Sequence, residues 1–213
     1  MCCIIHKPRG IDIPQDVFQR VWNKNPHGAG FMYADHESLQ IVKGLMTLGD
    51  FMEKYVEHKC IEKELIIHFR LASVGAIVPE QTHPFWVFPN QLAFAHNGHM
   101  MQHETSSLSQ SDTMIFNQEI LSKLPPNFLS NEGITKLLSD YLCGSILAFM
   151  DNLGKIKILG DTFPSIFFNN CWFSNDFWQI YEKSENCSSE TTDSFEEDDW
   201  DKDYDFINEL PNH

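Results

Sequence analysis

Basic residues are the scarcest feature of this 213-residue chain: 15 Lys and Arg stand against 30 Asp and Glu, for a formal net charge of -15. Nucleic-acid binding needs clustered Lys and Arg to meet phosphate, so this balance argues against a nucleic-acid partner. No run approaches the roughly 20 apolar residues of a membrane span, and no basic segment followed by an apolar stretch and a cleavage site opens the chain. The expectation is a cytoplasmic protein with no membrane association. The six cysteines, at 2, 3, 60, 143, 171 and 187, form no C-x-x-C pair. In a chain of this size they read as reduced thiols, in keeping with a cytosolic address.

What is present is enough apolar sequence, 42% of the residues, for one sizeable core. The expected organisation is a single domain over residues 2–183 followed by an acidic, disordered tail over 184–213. That tail, SENCSSETTDSFEEDDWDKDYDFINELPNH, is dense in Asp, Glu, Ser and Thr and too polar to order itself. Its interspersed aromatics leave a second reading, a segment that docks on a basic partner or folds back.

Periodicity places a strand at Cys2–His6, a helix at Pro14–Trp22, and strands at Gly30–Ala34 and Leu39–Lys43. A helix follows at Gly49–Lys59, then an almost unbroken apolar run at Glu64–Leu71 and a strand at Leu92–Ala95 ending in Asn97-Gly98, a turn-favouring pair. Helices fit Asp112–Lys123 and Glu132–Leu142. Strands fit Ile146–Met150, Lys155–Leu159 and Asn170–Phe173. Strands before and after a helical block predict an α+β fold in which helices cover mostly antiparallel sheets.

Four local features carry chemistry. Removal of Met1 would leave Cys2 with both a thiol and a free α-amine, which titrates near about 7.7–8.0 and can act as the thiol's own base. Arg70 ends a buried-looking strand in His68-Phe69-Arg70-Leu71-Ala72-Ser73-Val74-Gly75, and its planar fork suits a carboxylate, of a substrate or of an internal ion pair. The Asn97 amide and the Gly98 N–H, at a strand end, offer an oxyanion site, or simply a hairpin turn. Asp112, behind a Ser111 cap, either meets a helix dipole or offers a carboxylate to an ammonium. Together they describe a site for an amino-acid amide.

The order of Cys2, HFRLASVG, QTHPF, AHNG and SDT resembles the class II glutamine amidotransferases across about residues 2–175. The segments IIHKPRGIDIP, NPHGAGFMYA and CWFSND are closest to small, stand-alone phage and bacterial members. The resemblance implies the four-layer αββα sandwich of the N-terminal-nucleophile hydrolases and a glutamine amidohydrolase without cofactor or metal. By the same resemblance, Cys2 forms a γ-glutamyl thioester and ammonia passes to an acceptor on a separate synthetase protein. Asn97 and Gly98 would hold the oxyanion, Arg70 the α-carboxylate and Asp112 the α-ammonium. Ser73 belongs to the arginine motif, and His83 would help hold the glutamine-binding loop. The chain departs from the family where Cys3 replaces a common Gly, Ser73 a Thr and Val74 a His.

Other readings remain open: a related N-terminal-cysteine amidohydrolase acting on another amide, a metal site from His96, His99 and His103, and a non-catalytic interaction module with a vestigial site.

Overall fold

Strands buried on both faces are written in sequence as continuous apolar runs, and most of this protein's strands are of that kind. The computed structural model describes residues 1–73, 75–100, 110–142, 144–160 and 165–179. Val74, His103, Cys143 and the acidic stretch 184–213 lie outside the described residues. Met1–Gln179 makes one compact unit.

The elements in chain order are β1 (Cys3–Lys7), α1 (Gln15–Lys24), β2 (Ala29–Asp35), β3 (Ser38–Leu45), α2 (Leu48–Glu57) and β4 (Leu65–Phe69). They continue with β5 (Phe85–Phe88), β6 (Leu92–Asn97), α3 (Asp112–Glu119), α4 (Glu132–Leu142), β7 (Ile146–Asp151), β8 (Ile156–Leu159), β9 (Ile166–Phe168) and β10 (Cys171–Phe173). One sheet has the order β3-β2-β4-β1-β10-β9 and the other β5-β6-β7-β8. Every pairing among them is antiparallel. The fold is α+β with antiparallel sheets and, among the described residues, four α-helices.

The strand period of two sorts side chains into three cores. Ile4, Met32 and Ile66 of the first sheet meet Ala93, Ala95, Ile146 and Ala148 of the second. Their neighbours Cys3, Ile5, Phe31, Ile67 and Phe69 point the other way and pack with Val17, Phe18 and Val21 of α1 and Phe51 and Tyr55 of α2. Phe94, Leu147 and Phe149 pack with Phe116 of α3 and Leu138 and Leu142 of α4.

The helices carry their own boundary signals. Thr47 caps α2, its hydroxyl accepting from Asp50 N at 3.0 Å. Lys59 then adopts a left-handed φ of 51°, which stops the expected helix at Glu57. Similarly, the helix expected over Asp112–Lys123 breaks at Ile120 into α3 and a short 3-10 turn, Leu121–Lys123. The pairing of Asn97 with Ile146 carries β6 two residues past its expected end, so Asn97-Gly98 closes no tight hairpin. Two strands, β5 and β9, were not expected from the sequence. No helix among the described residues is long and apolar enough to cross a membrane.

Candidate active site

Cys2 precedes β1, and Cys3 pairs with Phe69, so extending the register by one step sets Cys2 against Arg70. Leu71, just past the end of β4, donates its N–H to Cys2 Sγ at 3.3 Å, and the thiol in turn lies 3.5 Å from Leu71 O. Burial pushes the Cys2 thiol up, while the Leu71 N–H, the amine at the chain's start and the Arg70 charge pull it down and Asp112 opposes them. In the chain described Met1 is still attached, so that amine belongs to Met1. Cys2 keeps partial exposure, whereas Cys3, Cys60 and Cys171 are buried. Burial raises Cys60 to about 12 and Cys171 to about 11 and drives Cys3 higher still. Of these four residues, Cys2 alone is not fully buried.

Arg70 is held in place along its whole length. Its N–H donates to Gly28 O at 2.8 Å and its carbonyl accepts from His27 N at 3.0 Å. The guanidinium donates to Ala76 O at 2.8 Å and to Gln81 Oε1 at 3.1 Å. Burial lowers its pKa, and Cys2 and Asp112 act in the opposite sense. The loop after it is tied down by Ala72 N donating to His27 Nδ1 at 2.9 Å and by a 3.2 Å hydrogen bond between Ser73 Oγ and His99 Nδ1. Ser73 thus joins the arginine loop to the residue after Gly98.

Asn97 is buried, with Nδ2 3.0 Å from Ser174 Oγ and with Oδ1 lacking a partner among the described residues. Ser174 Oγ also accepts from Ile4 N at 2.9 Å, and Ser174 N donates to Ile4 O at 2.9 Å. The next residue, Asn175, donates Nδ2 to the Cys2 carbonyl at 2.7 Å. Gly98 has φ 140°, and a Cβ there would collide with both the side chain and backbone of Ser145. Ser145 Oγ accepts from His99 N and donates to His99 O, each at 3.0 Å, so it fixes the chain as it leaves β6.

Asp112 is the first residue of α3, capped by Ser111, whose hydroxyl accepts from Met114 N at 3.3 Å. Its carboxylate accepts from Met100 N and from Thr113 N, both at 2.8 Å. The position combines a helix N-terminus with backbone donors, and its charge reaches Cys2 and Arg70. A fixed cation, a fixed anion and a thiol thus lie within electrostatic range of one another.

His83 makes no hydrogen bond to this group among the described residues, though the Arg70 charge reaches it. Its ring is buried against His68 and Phe85, at centroid separations of 4.1 and 4.6 Å, and neither nitrogen has a hydrogen-bond partner among the described residues. Gln81 and Thr82 make the loop's side-chain hydrogen bonds instead, Gln81 to Arg70 and Thr82 Oγ1 accepting from Gly44 N at 2.7 Å.

Sequence reasoning did not single out His27, Gln81, Ser145, Ser174 or Asn175. The signals for them were the segments that carry the resemblance: NPHGAGFMYA contains His27, QTHPF contains Gln81 and CWFSND contains Ser174 and Asn175, while Ser145 lies in none. Of the three histidines spaced like metal ligands, His96 Nδ1 pairs with Thr113 Oγ1 at 2.7 Å and His99 with Ser73, and His103 lies outside the described residues. Among the described residues no group of three or more His, Cys, Asp or Glu is arranged to hold a metal ion. Two cavities, of about 460 and 340 Å³, lie elsewhere, one along Leu92, Leu129 and Lys157 and the other along Asp12, Tyr55 and Cys60. No protein-family model and no curated protein matches this chain.

Proposed function

We propose that the chain is a glutamine amidohydrolase of the class II amidotransferase type, with Cys2 as its N-terminal nucleophile once Met1 is removed. The observation that carries the reading is the placement of Cys2 against the buried Arg70 across β1 and β4, with the helix-terminal Asp112 carboxylate acting electrostatically on both. These are the three complements an α-amino acid with a reactive side-chain amide requires. The three stacked cores support reading the architecture as the αββα sandwich of the N-terminal-nucleophile hydrolases.

In this mechanism Arg70 binds the glutamine α-carboxylate and Asp112 its α-ammonium, with Ser73 and the His83 segment closing the binding loop. The freed α-amine of Cys2 takes the thiol proton as sulfur attacks the amide carbon. Asn97 Nδ2 and the Gly98 N–H donate to the oxyanion. The carbon–nitrogen bond then breaks, nitrogen takes the proton and leaves as ammonia, and a γ-glutamyl thioester remains. Water cleaves the thioester to give glutamate and restore the thiol. No cofactor takes part, and the ammonia passes to an acceptor on a separate protein.

The test is intact-mass measurement combined with ammonia release from glutamine. The active protein is expected to begin at Cys2, Cys2→Ala and Cys2→Ser to abolish hydrolysis, and Cys3→Ser to leave it largely intact. A fully active enzyme that retains Met1 would rule out the amine as the base.

A further inference from the structure

We propose that Ser174 is a positioning residue: its hydroxyl turns the Asn97 carboxamide so that Nδ2, and not Oδ1, faces the reacting carbonyl. This rests on the glutaminase reading. It starts from hydrogen-bond accounting at two buried side chains.

A serine hydroxyl has one hydrogen to donate and two lone pairs. At Ser174, one lone pair accepts the Ile4 N–H at 2.9 Å. With Asn97 Nδ2 donating at 3.0 Å the second lone pair is also used, and the hydroxyl hydrogen has no acceptor among the described residues. In the same orientation Asn97 Oδ1 is buried without a donor among the described residues. A buried acceptor left unsatisfied is costly, and here it coincides with a buried donor without an acceptor.

A half-turn of the carboxamide exchanges oxygen and nitrogen without changing its shape, so the two orientations differ only in hydrogen bonding. After the turn, the Ser174 hydroxyl donates to Oδ1 while still accepting from Ile4. Both hydrogens of Nδ2 are then free to point where the orphaned oxygen lay. An oxygen in that position would repel a developing oxyanion, whereas an NH2 stabilises it. The adjacent Asn175 holds the Cys2 carbonyl at 2.7 Å, so one dipeptide after β10 sets both the strand that bears the nucleophile and the amide that receives the charge.

The experiment uses the full chain with its mature N-terminus and measures kcat and KM for glutamine in the wild type, Ser174→Ala, Ser174→Thr, Asn97→Ala and the Ser174→Ala/Asn97→Ala double variant. Ser174→Ala is expected to lower kcat by about 10- to 100-fold, less than loss of the oxyanion donor itself, with KM within about twofold. Ser174→Thr should restore most of the rate. Because Ser174 acts through Asn97, Ser174→Ala should cost nothing further in the Asn97→Ala background. Additive losses in the double variant, or full activity in Ser174→Ala, would overturn the assignment. Absence of glutamine hydrolysis in the wild type defeats the functional reading instead. The orientation is then judged on the wild-type protein by NMR: Asn97 Nδ2 hydrogens remote from the Ser174 β-hydrogens support it, and strong Overhauser contacts between them refute it.

Discussion

In the proposed reaction, Arg70 and Asp112 offer charge that a bound glutamine meets equally before and during reaction, while the donors of Asn97 and Gly98 meet charge that exists only as the carbonyl is attacked. Uniform binding lowers KM, whereas interactions confined to the transition state raise kcat. Arg70→Ala and Asp112→Ala are therefore expected chiefly to raise KM. Asn97→Ala should chiefly lower kcat, by about 100- to 1000-fold as for loss of one oxyanion donor. Steady-state kinetics check this, and unchanged KM in both charge variants would contradict the substrate-binding roles. At this scale the sequence was legible where a residue type is rare or its spacing distinctive. Cys2, Arg70, the Asn97-Gly98 pair and Asp112 each stood out in the sequence as candidates, and the β1–β4 register sets the first two against each other. Ser145, Ser174 and Asn175 did not, because a serine or asparagine acquires its role only from a partner far away in the chain, as Ser174 does from Ile4 and Asn97. Lys7 is a similar case: within an apolar strand it is fully buried, and its ammonium donates to the carbonyls of Pro8, Ile11, Ile61 and Lys63.

Among the elements, β2 buttresses the Thr82–His83 segment, because Gly30 lies directly against the His83 backbone. A Cβ at Gly30 would collide with His83 O, Val42 O and Lys43 Cα, all backbone atoms that cannot swing aside. Gly30→Ala should thus destabilise by at least the about 1–3 kcal/mol typical of overpacking. Its displacement of the Thr82–His83 segment should also raise KM for glutamine. Urea unfolding and the same kinetic assay read the two effects, and wild-type values in both would show that the contact is slack. The longer elements were legible from the sequence: β1, β2, β4, β7, α1 and α4 all lie where apolar periodicity put them, within a few residues. β5 and β9 were not, since each has four residues or fewer at a sheet edge and offers little alternation to read. The break in α3 was hidden for another reason. It comes from a single backbone turn at Ile120, a residue compatible with a continuing helix.

Over the whole molecule, the two sheets share a group of histidines that should make stability depend on pH. His68 on β4 donates Nε2–H to His96 O on β6 at 3.0 Å, and its Nδ1 is buried without a partner among the described residues. His83 packs at a tilt on His68, and His96 is buried near them with Nε2 unpartnered among the described residues. Burial holds His68 down to about 3 and His96 to about 4, and it drives His83 well below its ordinary value near 6.5, helped by the charges of Lys43 and Arg70. The sign follows from proton counting. Above about pH 6.5 these rings are neutral in both folded and unfolded chains, so their contribution is fully present. Below it the unfolded chain takes up protons that the fold refuses, and stability falls until the folded values are reached. Each ring should cost about 1.4 kcal/mol per pH unit in that window, or about 2 kcal/mol by pH 5. Carboxylates with ordinary values remain largely ionised down to about pH 5, so the interval from pH 7 to 5 isolates the histidines. Urea midpoints should fall steadily across that interval. His83→Phe, which removes one titrating ring and two unsatisfied nitrogens while keeping an aromatic beside His68 and Phe85, should flatten the slope by about one proton. A stability that stays level from pH 7 to 5 in the wild type would mean that these rings are solvated or already protonated in the fold.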